Sequence, residues 1–235
     1  MIVWLTFGVA LFATLVSAQT APNPANSGAA PLVLPRPGVP ASLEQTEERS
    51  RKIEDGTSTV EVVTSEVYRD SAGRVRVQSD IRGSGRSPTP YVDLVDPVAG
   101  SRVVLLSTQK IAYRVPLPKS TEGRFAFLGI GGVAESSYKW SARTENAGKR
   151  TIEGIECEGT RIIETAEGEP GLTRTVEQWY SDELKLIGFV TASGPYETYT
   201  ARIQNLRREE PDPALFAIPP GYKILDVPLP SPGRQ

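Results

Sequence analysis

The chain has 235 residues, 39% hydrophobic and 23% charged, with a formal net charge of −2 at pH 7, all ordinary values for a soluble globular protein. It lacks the excess of Lys and Arg that binding to a phosphate backbone requires, so nucleic acid is not expected as a partner. It has no His and one Cys, Cys157, which removes the commonest general base and metal ligand, and we expect no metal or other cofactor.

The N-terminal segment 1–18 carries no charged side chain, and its apolar run extends from Ile2 to Val16. This length is typical of a signal-peptide core and short for a membrane-spanning helix. The small residues of Val16-Ser17-Ala18 predict cleavage before Gln19. The alternative is an uncleaved N-terminal anchor. We expect a secreted or periplasmic protein with no transmembrane segment after signal removal.

Two non-sheet segments are expected next. Residues 19–41 are rich in Pro and Ala with little charge, which predicts a disordered linker. The residues Ser42-Leu43-Glu44-Gln45 match a capping box and make 42–53 a candidate short helix.

From Thr57 onward the apolar residues alternate with polar ones, and turn residues recur about every ten positions, a pattern typical of strands. The short connections leave no room for parallel crossovers. We therefore predict a mainly β fold, an antiparallel meander that is open or a half-barrel, with one or two short helices. A single domain is expected over 42–230, followed by a disordered tail, 231–235. The predicted strands are 57–69, 74–82, 91–95, 101–106, 111–115, 149–153, 155–165, 173–180, 184–192 and 196–206.

Alternation within two strands predicts which side chains face the core: Val75, Val77 and Ile81 in one, and Tyr199, Ala201 and Ile203 in the other. Near the C-terminus, Asp212 followed by Pro213 predicts one helical turn. Phe216, at the end of that turn, is expected to dock into the core, and a last strand should follow. Cys157 is expected to be a buried apolar thiol, and an intermolecular disulfide is the alternative.

Several segments carry a resemblance to known proteins. Five of them resemble a family of uncharacterised secreted β proteins common in acidobacteria: 68–74, 96–100, 152–161, 177–181 and 210–219. The C-terminal pattern also resembles the periplasmic lipoprotein-carrier half-barrels of the LolA/LolB type, through Leu215, Phe216, Pro219, Gly221, Tyr222 and Asp226.

The second resemblance implies a curved antiparallel sheet with a helix against its concave face and a lipophilic cavity. The candidate helix at 42–53 is polar for that place, and a helix between Val133 and Arg143 would suit it better. Aromatic side chains commonly line such pockets. The candidate ligand-binding residues are Trp140, Trp179, Tyr180, Phe127 and Tyr199, and core packing is the alternative role for them.

The remaining motifs predict surface rather than chemistry. The G-x-G-x-x-A sequence at 129–134 lacks the βαβ context of a dinucleotide site, and the Gly- and Ser-rich segment 83–87 lacks a base for its serines. The carboxylates of Glu153, Glu156 and Glu158 are expected to be solvated. We predict an exported non-enzymatic binding module for a lipophilic ligand or a lipoprotein-like envelope component. The alternatives are a structural or protein-interaction domain of the cell envelope and, third, a hydrolase.

Overall fold

The computed structural model describes residues 32–53, 56–81, 89–117 and 139–227. Within these ranges it contains twelve strands and one short 3₁₀ helix, Pro213–Phe216. The predicted signal peptide, most of the linker, segment 83–87, the Gly-rich segment 129–134, Phe127 and the tail lie outside the described residues. The strands are β1 Ala41–Lys52, β2 Ser58–Arg69, β3 Val75–Ile81, β4 Thr89–Asp96, β5 Ser101–Leu106, β6 Ile111–Pro116, β7 Trp140–Ile152, β8 Ile155–Ala166, β9 Glu169–Ser181, β10 Leu186–Ser193, β11 Glu197–Arg207 and β12 Lys223–Asp226.

All twelve strands belong to one open sheet, in the order β12-β6-β5-β4-β3-β2-β1-β11-β10-β9-β8-β7. Every pairing is antiparallel except that of β12 with β6, which is parallel. The predicted mainly β, open, antiparallel fold is confirmed, with this edge pair as the exception. Short turns force antiparallel pairing, but the connection between β11 and β12 is long enough to return the chain in the other direction.

The candidate helix at 42–53 is wrong, because this segment is strand β1. Leu43, Gln45 and Glu47 are buried whereas Glu44 is exposed, the period of a strand. The strand lies between β2 and β11 and pairs with both. This tertiary pairing outweighs the local capping signal.

The prediction of a disordered linker is also wrong for its second half, since the chain enters the core at Leu32. Leu32 and Val33 are buried, and Val33 forms a β-bridge with Leu186 of β10. Proline prevents regular secondary structure here but does not prevent two apolar side chains from packing.

Arg69, at the end of β2, holds this N-terminal segment in place. Its guanidinium is fully buried and donates to the carbonyls of Leu34 and Val39 on one side and of Leu184 and Lys185 on the other. Burial lowers the pKa of Arg69 to about 10. One buried cation thus connects the N-terminal segment with the turn between β9 and β10.

The alternative helix between 133 and 143 is wrong from Trp140 onward, where the chain is strand β7; residues 133–138 lie outside the described ranges. The predicted strand 149–153 is the C-terminal part of this much longer strand. β7 is mostly exposed, and without a buried face its sequence lacks the alternation by which strands are recognised.

The register defines two faces of the sheet. We call inner the face on which these buried side chains lie: Leu43, Val67, Val75, Val77, Val95, Val104, Val190, Ala201 and Ile203. The opposite, outer face carries a second cluster, in which Val92, Leu94, Val103, Leu105 and Ala112 pack with Ile218 and Tyr222 of the C-terminal segment.

Most of the predicted core positions are confirmed. Val75 and Val77 are buried, as are Tyr199, Ala201 and Ile203; the side chain of Ile81 lies outside the described part. The helical turn after Asp212 is confirmed as the 3₁₀ helix, with the Asp212 carboxylate accepting from the N–H of Ala214. Phe216 is only half-buried: its ring lies 4.8 Å from the guanidinium of Arg74, because the helix lies against the outer face, where charged side chains emerge.

Candidate functional site

The inner face combines a broad apolar surface with a narrow polar row. Valines of β2 to β5 form most of the apolar surface, and Leu32, Val33, Val39 and Leu117 pack against the same cluster. The polar row crosses three adjacent strands, with Ser79 on β3 paired to Ser65 on β2, and Ser65 paired to Gln45 on β1.

The two serines are the unusual members of this row. Ser65 is 1% exposed and Ser79 is 6% exposed, and the hydroxyl oxygen of each lacks a hydrogen-bond partner among the residues that the structure describes. Cβ atoms directly opposite each other on antiparallel strands lie about 5 Å apart, so the two hydroxyls are neighbours. Buried polar groups are nearly always satisfied by protein or water, and an unsatisfied one requires an explanation.

Gln45 and Glu47 continue the polar row as a hydrogen-bonded network. The backbone N–H of Leu32 donates to Oε1 of Gln45 at 2.8 Å. Nε2 of Gln45 donates to Oε1 of Glu47 at 2.6 Å, and the hydroxyl of Tyr199 donates to Oε2 of Glu47 at 3.0 Å. The guanidinium of Arg49 lies 5.5 Å from the ring of Tyr199.

Burial dominates the ionisation of this network. It raises the pKa of the Glu47 carboxyl above its ordinary value, against the opposing effect of the hydrogen bonds from Gln45 and Tyr199. Burial, together with the charge of Glu47, also raises the pKa of the Tyr199 hydroxyl. The network is therefore a set of fixed dipoles around one carboxyl group, embedded in an apolar face.

An ion pair borders the apolar surface on the other side. Asp93 of β4 is 8% exposed and accepts from Nε and Nη2 of Arg102 on β5. The pair is satisfied by its own geometry, so it offers no free donor or acceptor comparable with the serines.

The predicted ligand-binding residues do not form one cluster. Tyr199 is buried in the middle of the inner face, next to Glu47. Trp140 lies on β7, four strands away, a distance of roughly 19 Å at about 4.8 Å per strand. Tyr180 is half-buried on β9, and Phe127 lies outside the described residues. Their role in binding stays a prediction.

Trp179 lies on the outer face, because it pairs with Phe189 of β10. Phe189 is adjacent in sequence to the inner-face residue Val190 and so points to the opposite side of the sheet. Its ring packs tightly against the backbone of Gly159, where an added Cβ would approach the ring to 2.9 Å. The Trp179 indole N–H donates to Glu177 at 2.9 Å. Hydrogen bonds from Arg161 and Trp179 lower the pKa of the Glu177 carboxyl.

The polar row cannot be recognised from the sequence alone, for a physical reason. Ser65 and Ser79 occupy apolar positions of the alternating pattern, two residues from Val67 and Val77 respectively. That substitution of Ser for an apolar residue is the only signal in the sequence. Their adjacency appears only once the register of β2 and β3 is known.

Packing or ion pairs explain the other residues that could have carried chemistry, the single cysteine and the exposed carboxylates. Cys157 is a free, fully buried thiol, as predicted, and burial raises its pKa. Glu156 and Glu158 are exposed and share Lys149. Among the described residues, no cluster of three His, Cys, Asp or Glu could hold a metal ion. The same residues include no helix of sufficient length and hydrophobicity to span a membrane.

A surface pocket of about 510 Å³ lies at the β12 edge, between the β4–β5 turn and the β6–β12 pair. Arg114 and Asp226, which line it, form an exposed ion pair. This pocket is remote from the polar row and distinct from the inner-face site.

Comparisons with known proteins give similarity to solved structures alone. No protein-family model matches the chain, and no curated protein matches it. A LolA superfamily protein from Nitrosomonas europaea is 8% identical with a TM-score of 0.38, over 80% of this chain and 94% of that one. Lipoprotein LppX from Mycobacterium tuberculosis is 12% identical with a TM-score of 0.36, over 73% and 88% of the two chains.

A DUF1329 family protein from Desulfovibrio piger is 13% identical with a TM-score of 0.34, over 77% of this chain and 90% of that one. Identities and TM-scores this low assign the chain to no family. The resemblance to secreted acidobacterial proteins has no support among these findings.

Proposed function

We propose that this chain is an exported, non-enzymatic binding module that holds a lipophilic ligand against the inner face of its sheet. The observation that carries the proposal is the pair of buried hydroxyls of Ser65 and Ser79 within an apolar surface, neither of which has a hydrogen-bond partner in the described part of the chain. Ligand sites are mostly apolar with a few placed polar groups. The export part of the proposal rests on segment 1–18, outside the described residues.

The ligand that fits this face has an apolar chain and one polar acceptor. The chain would lie against Val67, Val75 and Val77, which are 0–2% exposed, so the segments that cover them would have to move apart on binding. The acceptor, an ester or carboxyl oxygen, would receive hydrogen bonds from the two serines. Without such a partner each buried hydroxyl costs about 1–3 kcal/mol. A ligand that supplies the missing acceptor explains why these positions are not apolar.

The test is a paired measurement of binding and stability on the Ser65→Ala/Ser79→Ala variant. Binding of oleate to delipidated full-length protein is followed by titration calorimetry, and stability by urea unfolding. Each hydrogen bond is worth about 0.5–1.5 kcal/mol, so the loss of two should lower affinity by roughly 5- to 150-fold. Unfolding free energy should stay equal or rise, because two unsatisfied groups are removed.

Ser58→Ala, on the exposed beginning of the same strand β2, is the matched control and should alter neither quantity. Absence of oleate binding to the native protein would contradict the proposal. Equal affinity in the double variant would contradict the assignment of the serines.

A protein-interaction domain of the envelope is the second candidate, and one surface favours it. Val60 and Val62 of β2 are 62% and 44% exposed, and Tyr196 is 71% exposed. The two valines precede Ser65, where the pairing of β2 with β3 begins, so this part of β2 pairs with β1 alone among the described strands. Exposed apolar side chains on such a projecting hairpin are typical of a docking surface.

A further inference from the structure

Arg150, on the edge strand β7, contacts two aromatic rings on the outer face of the sheet. Its guanidinium carbon lies 4.1 Å from the centroid of the Trp179 ring and 4.6 Å from that of Phe189. Aromatic faces attract cations, and contact with two neighbouring rings restricts the orientation of the guanidinium. Arg150 is therefore pre-oriented, unlike an arginine that extends freely into water.

The guanidinium of Arg150 has no hydrogen-bond acceptor or ion-pair partner among the described residues. Its Nε is buried and unpartnered. Glu177 on the same face has its carboxylate occupied by Arg161, at 2.7 Å, and by the indole N–H of Trp179. The other basic side chains of β7 are paired, Arg143 with Glu145 and Lys149 with Glu156 and Glu158.

The charge of Arg150 contributes to lowering the pKa of the Glu177 carboxyl, but among the described residues no carboxylate forms a hydrogen bond or an ion pair with the guanidinium. The hydration that the buried Nε loses is therefore not replaced by a hydrogen bond. A guanidinium stacked on its faces offers its N–H groups in the plane, where they match the two oxygens of a carboxylate or phosphate. Only Nε of this group is buried without a partner, so the terminal nitrogens lie on the solvent side. An oxyanion can therefore reach them without displacing Trp179 or Phe189.

We propose that Arg150, in contact with the rings of Trp179 and Phe189, is a binding site for the oxyanion group of an acidic ligand, a carboxylate or a phosphate. The site lies on the opposite face from the polar row and is independent of the inner-face proposal. Pre-orientation lowers the entropy lost when the anion binds.

The test is NMR titration of the full-length protein with sodium phosphate and, separately, with sodium acetate, each at constant ionic strength balanced by sodium chloride. The indole N–H resonance of Trp179 and the Nε–H resonance of Arg150 report the site. Both should shift in saturable fashion with at least one of the two anions. The anion that binds more tightly identifies the source of the oxyanion.

Arg150→Leu should weaken that binding by roughly tenfold or more, and Arg150→Lys by a smaller factor, since lysine keeps the charge but loses the bidentate geometry. Arg143→Leu, on the same strand and face, is the control and should bind as the native protein does. If Arg150→Leu does not fold, the comparison rests on Arg150→Lys. No saturable shift with either anion, or the same affinity in the Arg150 variants, would overturn the proposal.

Discussion

Glu47 is a carboxyl group inside the sheet that accepts hydrogen bonds from the neutral groups of Gln45 and Tyr199 and also interacts with the charge of Arg49. Burial of a charge costs free energy unless the charge is compensated, and here burial raises the pKa of Glu47. An acid with a raised pKa in the folded state binds its proton more tightly there than in the unfolded chain. Its contribution to stability is therefore full below the unfolded pKa and is lost as pH rises through the folded pKa.

Glu47→Gln should remove this pH dependence. The unfolding free energy of the native protein relative to the variant should fall as pH rises above the ordinary pKa of Glu, by about 1.4 kcal/mol for each unit by which the pKa is raised. Urea unfolding at several pH values measures it. Glu48→Gln, on the exposed side of the same strand, should leave the native profile unchanged. The unfolding free energy of the native protein minus that of Glu47→Gln should decrease with pH. A difference that stays constant or grows would contradict the raised pKa of Glu47.

At the scale of elements, the turn between β2 and β3 is fixed by the N-terminal segment. Gly73 has a φ of +83°, and a Cβ on it would lie 2.8 Å from the backbone of Arg36 and Pro37. The N–H of Gly38 donates to the carbonyl of Ser71 at 2.8 Å in the same place. A residue in the predicted linker thus contacts a turn of the sheet, and Arg69 reinforces the contact from within.

Gly73→Ala should destabilise the protein by more than Gly100→Ala. Gly100 also has a positive φ, of +64°, but nothing lies within 4 Å of its would-be Cβ. The Gly100→Ala variant should lose only about 1–2 kcal/mol of unfolding free energy to backbone strain. The Gly73→Ala variant should lose about 1–3 kcal/mol more, because the added methyl group overpacks the contact with residues 36 and 37. Guanidinium unfolding of both variants makes the comparison. Equal losses would mean that residues 36 and 37 do not pack against this turn.

The elements that could be predicted from sequence are those with one buried and one exposed face. Strands β2, β3 and β6 alternate over part or all of their length, and the predictions fall within one residue of their bounds. Strand β5 is also predicted at its observed bounds, although it is buried on both faces. β1 was missed because its inner face carries Gln45 and Glu47, so a strand buried at the sheet centre has a polar sequence. Most of β7 is not predicted, because both faces of this edge strand are largely exposed and its apolar and polar residues do not alternate.

The candidate site was less predictable than the fold. Tyr199 was identified from its aromatic character, and the structure places it beside Glu47 on the inner face. Ser65, Ser79 and Gln45 come together through strand register, which depends on pairing across the whole sheet. The candidate ligand-binding aromatic residues cannot all line one pocket, since Trp179 lies on the opposite face of the sheet from Tyr199.

At the scale of the whole molecule, β1 joins the two halves of the chain. It pairs with β2 on one side and with β11 on the other, so strands β1 to β6 and β7 to β11 form one continuous sheet. The inner-face polar row and the Glu47 network lie at this junction. A ligand held by Ser65 and Ser79 would contact β2 and β3, next to this junction, and its binding free energy would add to the stability of the folded sheet by mass action.

Native mass spectrometry of the full-length protein, purified without detergent from the envelope of the organism that makes it, tests the central claim most directly. We predict one additional lipophilic molecule per chain, lost on denaturation and much reduced in the Ser65→Ala/Ser79→Ala variant but retained in Ser58→Ala. A bare polypeptide mass for the native protein, with no such adduct, would contradict ligand binding by the inner face and would favour the interaction domain instead.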